Sequence, residues 1–318
     1  MSDPIRIPVG NGSPEGTNSA YVLPDRGVVI DPGPPSEAAW AALRDGITDA
    51  GLALEDIEHV LVTHWHIDHA GLTARFADRA NATVHAHRND APLIGEYATA
   101  RPQRLRRDRK VLTQWGVPES IRTGVLDRDT SSPLPDSFPV VRHDDGETVA
   151  GVELVHTPGH TSGHSSLWTS EAVFLGDLLL PTYTPNVGGS DTRLEHPLGR
   201  YLSSLHCLDS TRKYGNPGHG TPLEIASAIE EVKRHHRDRA RAAFRTIATQ
   251  EPAAQTPWDV AQELFGEMRG IHAKFGAGEA AAHLQRLAEL GIVDRLEGTP
   301  TRYRPSVDAY PAALSLTP

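Results

Sequence analysis

Val60-Leu61-Val62-Thr63-His64-Trp65-His66-Ile67-Asp68-His69-Ala70-Gly71 sets three imidazoles and a carboxylate directly behind an apolar, β-branched run. Val60 to Thr63 reads as a buried strand, so the polar residues emerge at its carboxyl end, where α/β folds place their sites. Imidazole mixed with carboxylate suits zinc, iron or manganese better than magnesium or calcium. The competing reading is a surface loop rich in histidine by chance. With 17 His in 318 residues, the order His-x-His-x-Asp-His has odds of about one in 10^5 at a given start, which favours the metal reading.

The same design recurs along the chain. Gly27 to Ile30 is an apolar strand running into Asp31-Pro32-Gly33, and Val152 to His156 runs into Thr157-Pro158-Gly159-His160-Thr161-Ser162-Gly163-His164. Ala172 to Leu175 ends in Gly176-Asp177, and a helical stripe of Leu198, Tyr201, Leu202, Leu205 and Leu208 precedes Asn216-Pro217-Gly218-His219-Gly220. Each approach delivers one metal-binding side chain to a loop beside Gly or Pro. The glycines permit close approaches that a β-carbon would obstruct.

Between these stretches the elements alternate. Ala20 to Leu23 is a strand, and Ser36 caps a helix with Trp40, Leu43 and Ile47 on its apolar face. Thr83 to His87 is a strand whose His85 and His87 share one face and, with no carboxylate nearby, read as structural or surface residues. From Arg88 to His143 no strand pattern appears. This insertion is locally basic (Arg101, Arg104, Arg106, Arg107, Arg109, Lys110) and reads as a lid or arm. Arg101, Arg104 and Arg107 are its candidate substrate contacts, against the plainer reading of a solvated helical face. Pro181 to Gly189 is irregular and is expected at the site mouth. Cys207 falls in a helical pattern and is expected to pack.

Thr221-Pro222-Leu223-Glu224 has the form of a capping box that opens a helix. That helix becomes basic beyond Val232, its His235 and His236 point to different faces as non-ligands, and Glu251-Pro252 breaks it. Thr256-Pro257-Trp258-Asp259 opens a further helix. Another is expected over Glu279 to Leu290, followed by a hairpin of Ile292 to Leu296 and Thr301 to Arg304, an order that is winged-helix-like. The expected division is therefore a catalytic domain over 1–222 with the insertion 88–143, a connecting helix over 223–250, and a small domain over 251–318.

A formal net charge of -10 argues against nonspecific nucleic-acid binding by the whole surface. The single cysteine excludes an intrachain disulfide and a multi-cysteine metal site. Met1 to Arg6 shows no secretory pattern and no stretch reaches transmembrane length, so the default expectation is a cytoplasmic protein without a membrane partner.

Together, His64, His66, Asp68, His69, His160, Asp177 and His219, in this order and with these flanks, resemble the metallo-β-lactamase-fold hydrolases. The resemblance is to the binuclear branch that includes glyoxalase II and the β-lactamase-like endoribonucleases. It covers roughly residues 18 to 222 and implies an α/β (α+β) fold, a four-layer αββα sandwich. It also implies two divalent metal ions, zinc with iron or manganese as alternatives. His64, His66 and His160 would hold the first, Asp68, His69 and His219 the second, and Asp177 would bridge them. Asp31 would orient a ligand imidazole, and His164 would either contact substrate or buttress the site.

Two divalent ions, two carboxylates and a bridging hydroxide leave such a site cationic, able to polarise a carbonyl or phosphoryl oxygen without a protein nucleophile. Asp68 is the candidate to accept the hydroxide's proton. Cys207 lies outside every motif, against a β-lactamase of the zinc-cysteine type, and the C-terminal part does not resemble the glutathione-binding end of glyoxalase II. The expected activity is hydrolysis of a thioester, lactone or ester on a small, coenzyme A-type molecule. The alternatives are a single-strand-specific endoribonuclease and a non-catalytic DNA-binding regulator. A homodimer is compatible with the winged-helix-like ending.

Overall fold

The computed structural model describes residues 2–13, 15–127, 134–208, 212–249 and 254–317. The chain forms two compact units. One comprises Met1–Arg101, Ser132–Pro185 and Cys207–Ile229, and the other Pro102–Ser131, Asn186–His206 and Glu230–Pro318.

In the first unit β1 (Ile5–Ser13), β2 (Gly16–Leu23), β3 (Val28–Ile30), β4 (His59–Val62), β5 (Thr83–His87) and β6 (Val141–His143) form one sheet in that order. The pairs up to β3 are antiparallel, and those from β3 to β6 are parallel. A second sheet runs from β7 (Thr148–Val149) through β8 (Val152–His156), β9 (Ser165–Trp168), β10 (Val173–Gly176) and β11 (Tyr214–Pro217) to β12 (Leu223–Glu224).

Side chains alternate across a strand, and here both faces are apolar because both are covered. Tyr21, Leu23, Val28, Ile30 and Leu61 meet Val149, Val152, Leu154, Leu167 and Phe174 of the second sheet. The intervening Ala20, Val22, Val29, Val60 and Val62 pack under Trp40, Leu43, Ile47 and Phe76, from α1 (Glu37–Asp49) and α3 (Thr73–Ala80), which flank the short α2 (Ile67–Ala70). α4 (Ala91–Gly95) follows β5. A β-carbon on Gly215 would lie 2.5 Å from Leu175 and 3.3 Å from Ile225, so the outer face of the second sheet is covered where the next helix begins. The layer order is helix, sheet, sheet, helix, as the resemblance implied.

Several local expectations are corrected. β1 is an unanticipated strand, and its Pro8 is tolerated because β1 lies at the sheet edge. β6 forms inside the 88–143 segment. Leu223 and Glu224 pair with Gly215 and Tyr214, so the long helix starts at Ile225. Glu224 still caps it, its carboxylate accepting a 2.8 Å bond from Ser227 N. Cys207 lies just past a helix end and is exposed, not packed.

His85 and His87 are buried, and His85 is linked to a carboxylate through one intervening imidazole. Glu147 accepts from His143 Nδ1 at 2.7 Å, His143 Nε2 lies 2.9 Å from His85 Nδ1, and His85 Nε2 lies 3.1 Å from His59 Nδ1. An ionised carboxylate only accepts, so it fixes the proton on each neutral ring in turn. His87 stacks on His156 with centroids 4.0 Å apart.

In the second unit the residues are α5 (Tyr97–Gln114, which begins in the first unit), α6 (Glu119–Asp127), α7 (Pro197–His206), α8 (Ile225–Thr249, from Glu230 on), α9 (Pro257–Phe265), α10 (Ile271–Glu289) and the hairpin β13 (Val293–Leu296) and β14 (Arg302–Pro305). Thr256 and Asp259 form a reciprocal capping box at α9. α10 begins eight residues before the expected Glu279, and Gly276 and Gly278 lie within it. Gly278 is a contact point: a β-carbon there would lie 2.3 Å from Gly189 Cα.

Buried Asp108 accepts from Arg104 Nη1 at 3.1 Å, Lys274 Nζ at 2.9 Å and Thr192 Oγ1 at 2.7 Å. These bonds join three segments of the second unit that are far apart in the sequence. Glu251-Pro252 lies outside the described residues. Among the described residues no helix is long and apolar enough to cross a membrane.

Burial, followed by the neighbouring imidazoles, pushes His85 and His87 down to about 4. The native state therefore refuses protons that the unfolded chain accepts below about pH 6.5, and stability falls as pH drops from there toward 4. Denaturant midpoints measured against pH should show this fall, shallower in His87→Phe, which keeps the stack on His156. Midpoints that rise on acidification contradict it.

Candidate metal centre

The candidate ligands lie at the carboxyl ends of β4, β8, β10 and β11, all within the first unit. His64 Nε2 and His160 Nε2 each lie 3.0 Å from His66 Nδ1. His69 Nε2 and His219 Nε2 are 3.2 Å apart, and Asp68 Oδ2 lies 3.6 Å and 3.3 Å from them. Asp177 stands between the two groups. Its Oδ2 is 3.6 Å from His160 and 3.9 Å from His64, whereas its Oδ1 is 3.4 Å from His69 and 3.7 Å from His219. The seven side chains named from sequence therefore converge, and they form clusters able to hold a metal ion.

Hydrogen bonds behind the donors decide which nitrogen faces inward. Asp31, at φ 47, accepts from Thr63 N at 2.8 Å, from Thr63 Oγ1 at 2.6 Å and from His69 Nδ1 at 3.0 Å. The Thr63 proton is thus committed to Asp31, and Thr63 Oγ1 accepts from His64 Nδ1 at 3.0 Å. His219 Nδ1 faces the Gly16 carbonyl at 3.4 Å. In their neutral forms His64, His69 and His219 therefore point Nε2 lone pairs inward. Lone pairs 3.2 Å apart repel unless a proton or cation lies between them, and Asp177 Oδ1 is buried with no hydrogen bond among the described residues. This donor set fits divalent cations of the zinc, iron or manganese type.

The titration behaviour agrees. Burial, then the positive charge that neighbouring imidazoles would carry, holds His64 well below the ordinary histidine range and His66 at about 3. For His69, burial alone would lower the pKa, but Asp177, Asp68 and Asp31 reverse it and hold it well above. His219 is raised by Asp177 and Asp68 against the same opposing burial. Asp177 is held far below the carboxylate range, since His69 and His219 outweigh its own burial. The carboxylates thus favour positive charge, proton or metal, at His69 and His219.

His164 is fully buried, donates from Nδ1 to Thr157 Oγ1 at 2.9 Å and accepts the Asp177 backbone N–H at 3.0 Å. Of its two expected roles the geometry supports buttressing, and burial removes it from substrate. Two residues escaped the sequence reading. Asp90, at 0% exposure, accepts from Trp65 N, Thr161 Oγ1 and Gly163 N at 3.2, 2.6 and 2.9 Å, tying the loop of His64 and His66 to that of His160. Asn18 donates to Asp68. The only signal for Asp90 was its place just after a strand, which Asp31 shares.

The arginines are placed differently from the expectation. Arg104 is buried on Asp108, and Arg107 Nε donates to the Thr192 carbonyl at 2.7 Å. Both belong to the second unit and are engaged in its internal bonding, while Arg101 is half-buried at the end of the first unit's opening segment. A charge stripe in sequence could not reveal that Asp108, four residues beyond Arg104, points inward.

Over residues 12–214 the chain matches the metallo-beta-lactamase superfamily. The probable metallo-hydrolase YqjP of Bacillus subtilis (strain 168) is 29% identical over 295 residues, 87% of this chain and 89% of that protein. An atrochrysone carboxyl ACP thioesterase of Pseudocercospora fijiensis (strain CIRAD86) is 24% identical over 264 residues, 80% of this chain and 63% of that protein. A metallo-beta-lactamase family protein from Thermus thermophilus, known from its crystal structure, aligns with a TM-score of 0.77 at 28% identity, covering 95% of this chain and 98% of its own.

Since protons compete for His69 and His219 at higher pH than for His64 and His66, acid should empty the two clusters in sequence. After dialysis of zinc-loaded protein at stepped pH, elemental analysis should show the equivalent at Asp68, His69 and His219 lost at higher pH than the other. Simultaneous release of both equivalents contradicts this.

Proposed function

Because the chain belongs to the metallo-beta-lactamase superfamily and is a hydrolase by its relatives, we propose that it is a binuclear metal hydrolase acting at the carbonyl of a small thioester or ester. The observation that carries this reading is Asp177, whose two carboxylate oxygens face two separate donor clusters. Two divalent ions held by His64, His66 and His160 and by Asp68, His69 and His219, with Asp177 shared, would supply hydroxide at neutral pH and polarise the carbonyl.

The chain's own residues divide the remaining work. The Asp68 side chain is 38% exposed, the one carboxylate of the set open to the mouth, and it takes the proton released during attack. Asp31, Thr63 and His164 hold their neighbours in register, which lets the site meet the transition state with little reorganisation. Asp90 and its three donors keep two ligand loops together.

The surroundings favour an acyl substrate. Ile67, between His66 and Asp68, is exposed, and so is Tyr183, in the loop whose Pro181 lies against Gly220, next to His219. Exposed apolar surface directly between two candidate ligands, as at Ile67, suits an acyl group better than a phosphodiester. The relative described as a carboxyl ACP thioesterase supports thioester chemistry. Engagement of Arg104 and Arg107 inside the second unit weakens both the endoribonuclease reading and a coenzyme A reading that relied on those arginines.

Metal-loaded protein tested on acetyl-coenzyme A, a simple lactone and single-stranded RNA should hydrolyse at least one carbonyl substrate. His66→Ala should lose at least about a hundredfold in kcat, as when a group acting on developing charge is removed, with its thermal midpoint kept. Exclusive cleavage of RNA, or full activity in His66→Ala, overturns this reading.

A further inference from the structure

We propose that Asn18 is a positioning residue for one half of the metal centre, holding Asp68 and His219 at their mutual distance. This rests on the two-metal reading above. Asn18 is 4% exposed, and its Nδ2 donates twice to one residue: to the Asp68 backbone carbonyl at 3.0 Å and to Asp68 Oδ2 at 3.1 Å. Both partners are acceptors, so only the amide nitrogen can face them and the orientation of the side chain is fixed.

The backbone of the same residue is bound to the other ligand. Asn18 and His219 form an antiparallel bridge, flanked by Ser19 N to Gly218 O at 2.8 Å and Gly220 N to Thr17 O at 2.9 Å. Ser19 Oγ donates to Gly220 O at 2.9 Å, and Tyr21 OH to Pro217 O at 2.7 Å. β2 is thus stitched along the His219 loop, while the Asn18 amide reaches from that seam to Asp68. Two ligands far apart in the chain meet at 3.3 Å through this one intermediary.

The amide also divides the labour of the Asp68 carboxylate. Oδ2 is held by Asn18 and faces His69 and His219, which makes it the metal-facing oxygen. Oδ1 carries no comparable bond among the described residues and is the oxygen free to accept a proton. His69 has Asp31 behind it, His64 has Thr63, and Asp68 has Asn18. A partly exposed carboxylate without such a tether would rotate away from the cluster, so its loss should weaken one metal equivalent and spare the other.

The test is zinc titration of the full-length protein in competition with a chromophoric chelator. Wild type is expected to bind two equivalents. Asn18→Ala should keep the first within about twofold and bind the second roughly tenfold to a hundredfold more weakly, the range for loss of a bond behind a ligand. Asn18→Asp fills the same volume but sets a carboxylate against Asp68, so it should be at least as impaired as Asn18→Ala; a residue that only fills space would show the reverse order. Variants indistinguishable from a two-equivalent wild type, or Asn18→Asp binding more tightly than Asn18→Ala, overturn the inference. A wild type that binds a single equivalent overturns the two-metal reading, and the inference with it.

Discussion

A carboxylate buried among four imidazoles is the constraint on which the rest of this structure depends. Asp177 is 5% exposed, and a charge so far from water is costly unless cations surround it. The protein answers by bringing His64, His160, His69 and His219 to its two oxygens from three further loops. All of those loops leave the carboxyl ends of strands. The double sheet exists, functionally, to hold these ends together, and the apolar alternation that packs both faces of β2, β3 and β4 sets where each loop begins.

Rigidity around the centre comes from bonds one residue removed. Asp31 fixes Thr63 and His69, Thr63 passes the constraint to His64, and His164 pins the Asp177 backbone. Asp90 and Asn18 do the same between loops. A site assembled this way needs little reorganisation when charge develops in a reaction. The small glycines beside the ligands belong to the same logic: a β-carbon on Gly218 would lie 2.6 Å from both Asp177 Oδ1 and His69 Cε1.

How much of this was legible in the sequence follows from the physics of each residue. The seven candidate ligands could be picked out because the order His-x-His-x-Asp-His is rare by chance and the later side chains repeat its placement after an apolar strand beside Gly or Pro. The helix, sheet, sheet, helix order of layers followed from the family resemblance those motifs carry. Asn18 and Asp90 could not be read, since a single amide or acid at a strand end looks like an ordinary turn residue until its tertiary partners are known. The start of α10 was not read, since Gly276 and Gly278 lie inside the helix at points of close packing. Leu223-Glu224 misled because a β-bridge to Tyr214 and Gly215 overrides a local helix signal. The arginines of α5 misled because their charge suggested substrate contacts, while Asp108 draws Arg104 inward. The strands and ligand-bearing loops of the first unit were therefore open to local reasoning, and the joining of distant segments in the second unit, held by long-range ion pairs such as Lys274 with Asp108, was not.

The central claim is that one carboxylate, Asp177, is shared by two metal ions. Its most direct test is electron paramagnetic resonance of the protein loaded with two equivalents of manganese(II). The account predicts the spectrum of a spin-coupled pair in the wild type, replaced by isolated-ion signals or by loss of bound metal in Asp177→Asn. Isolated-ion signals from the doubly loaded wild type would contradict it.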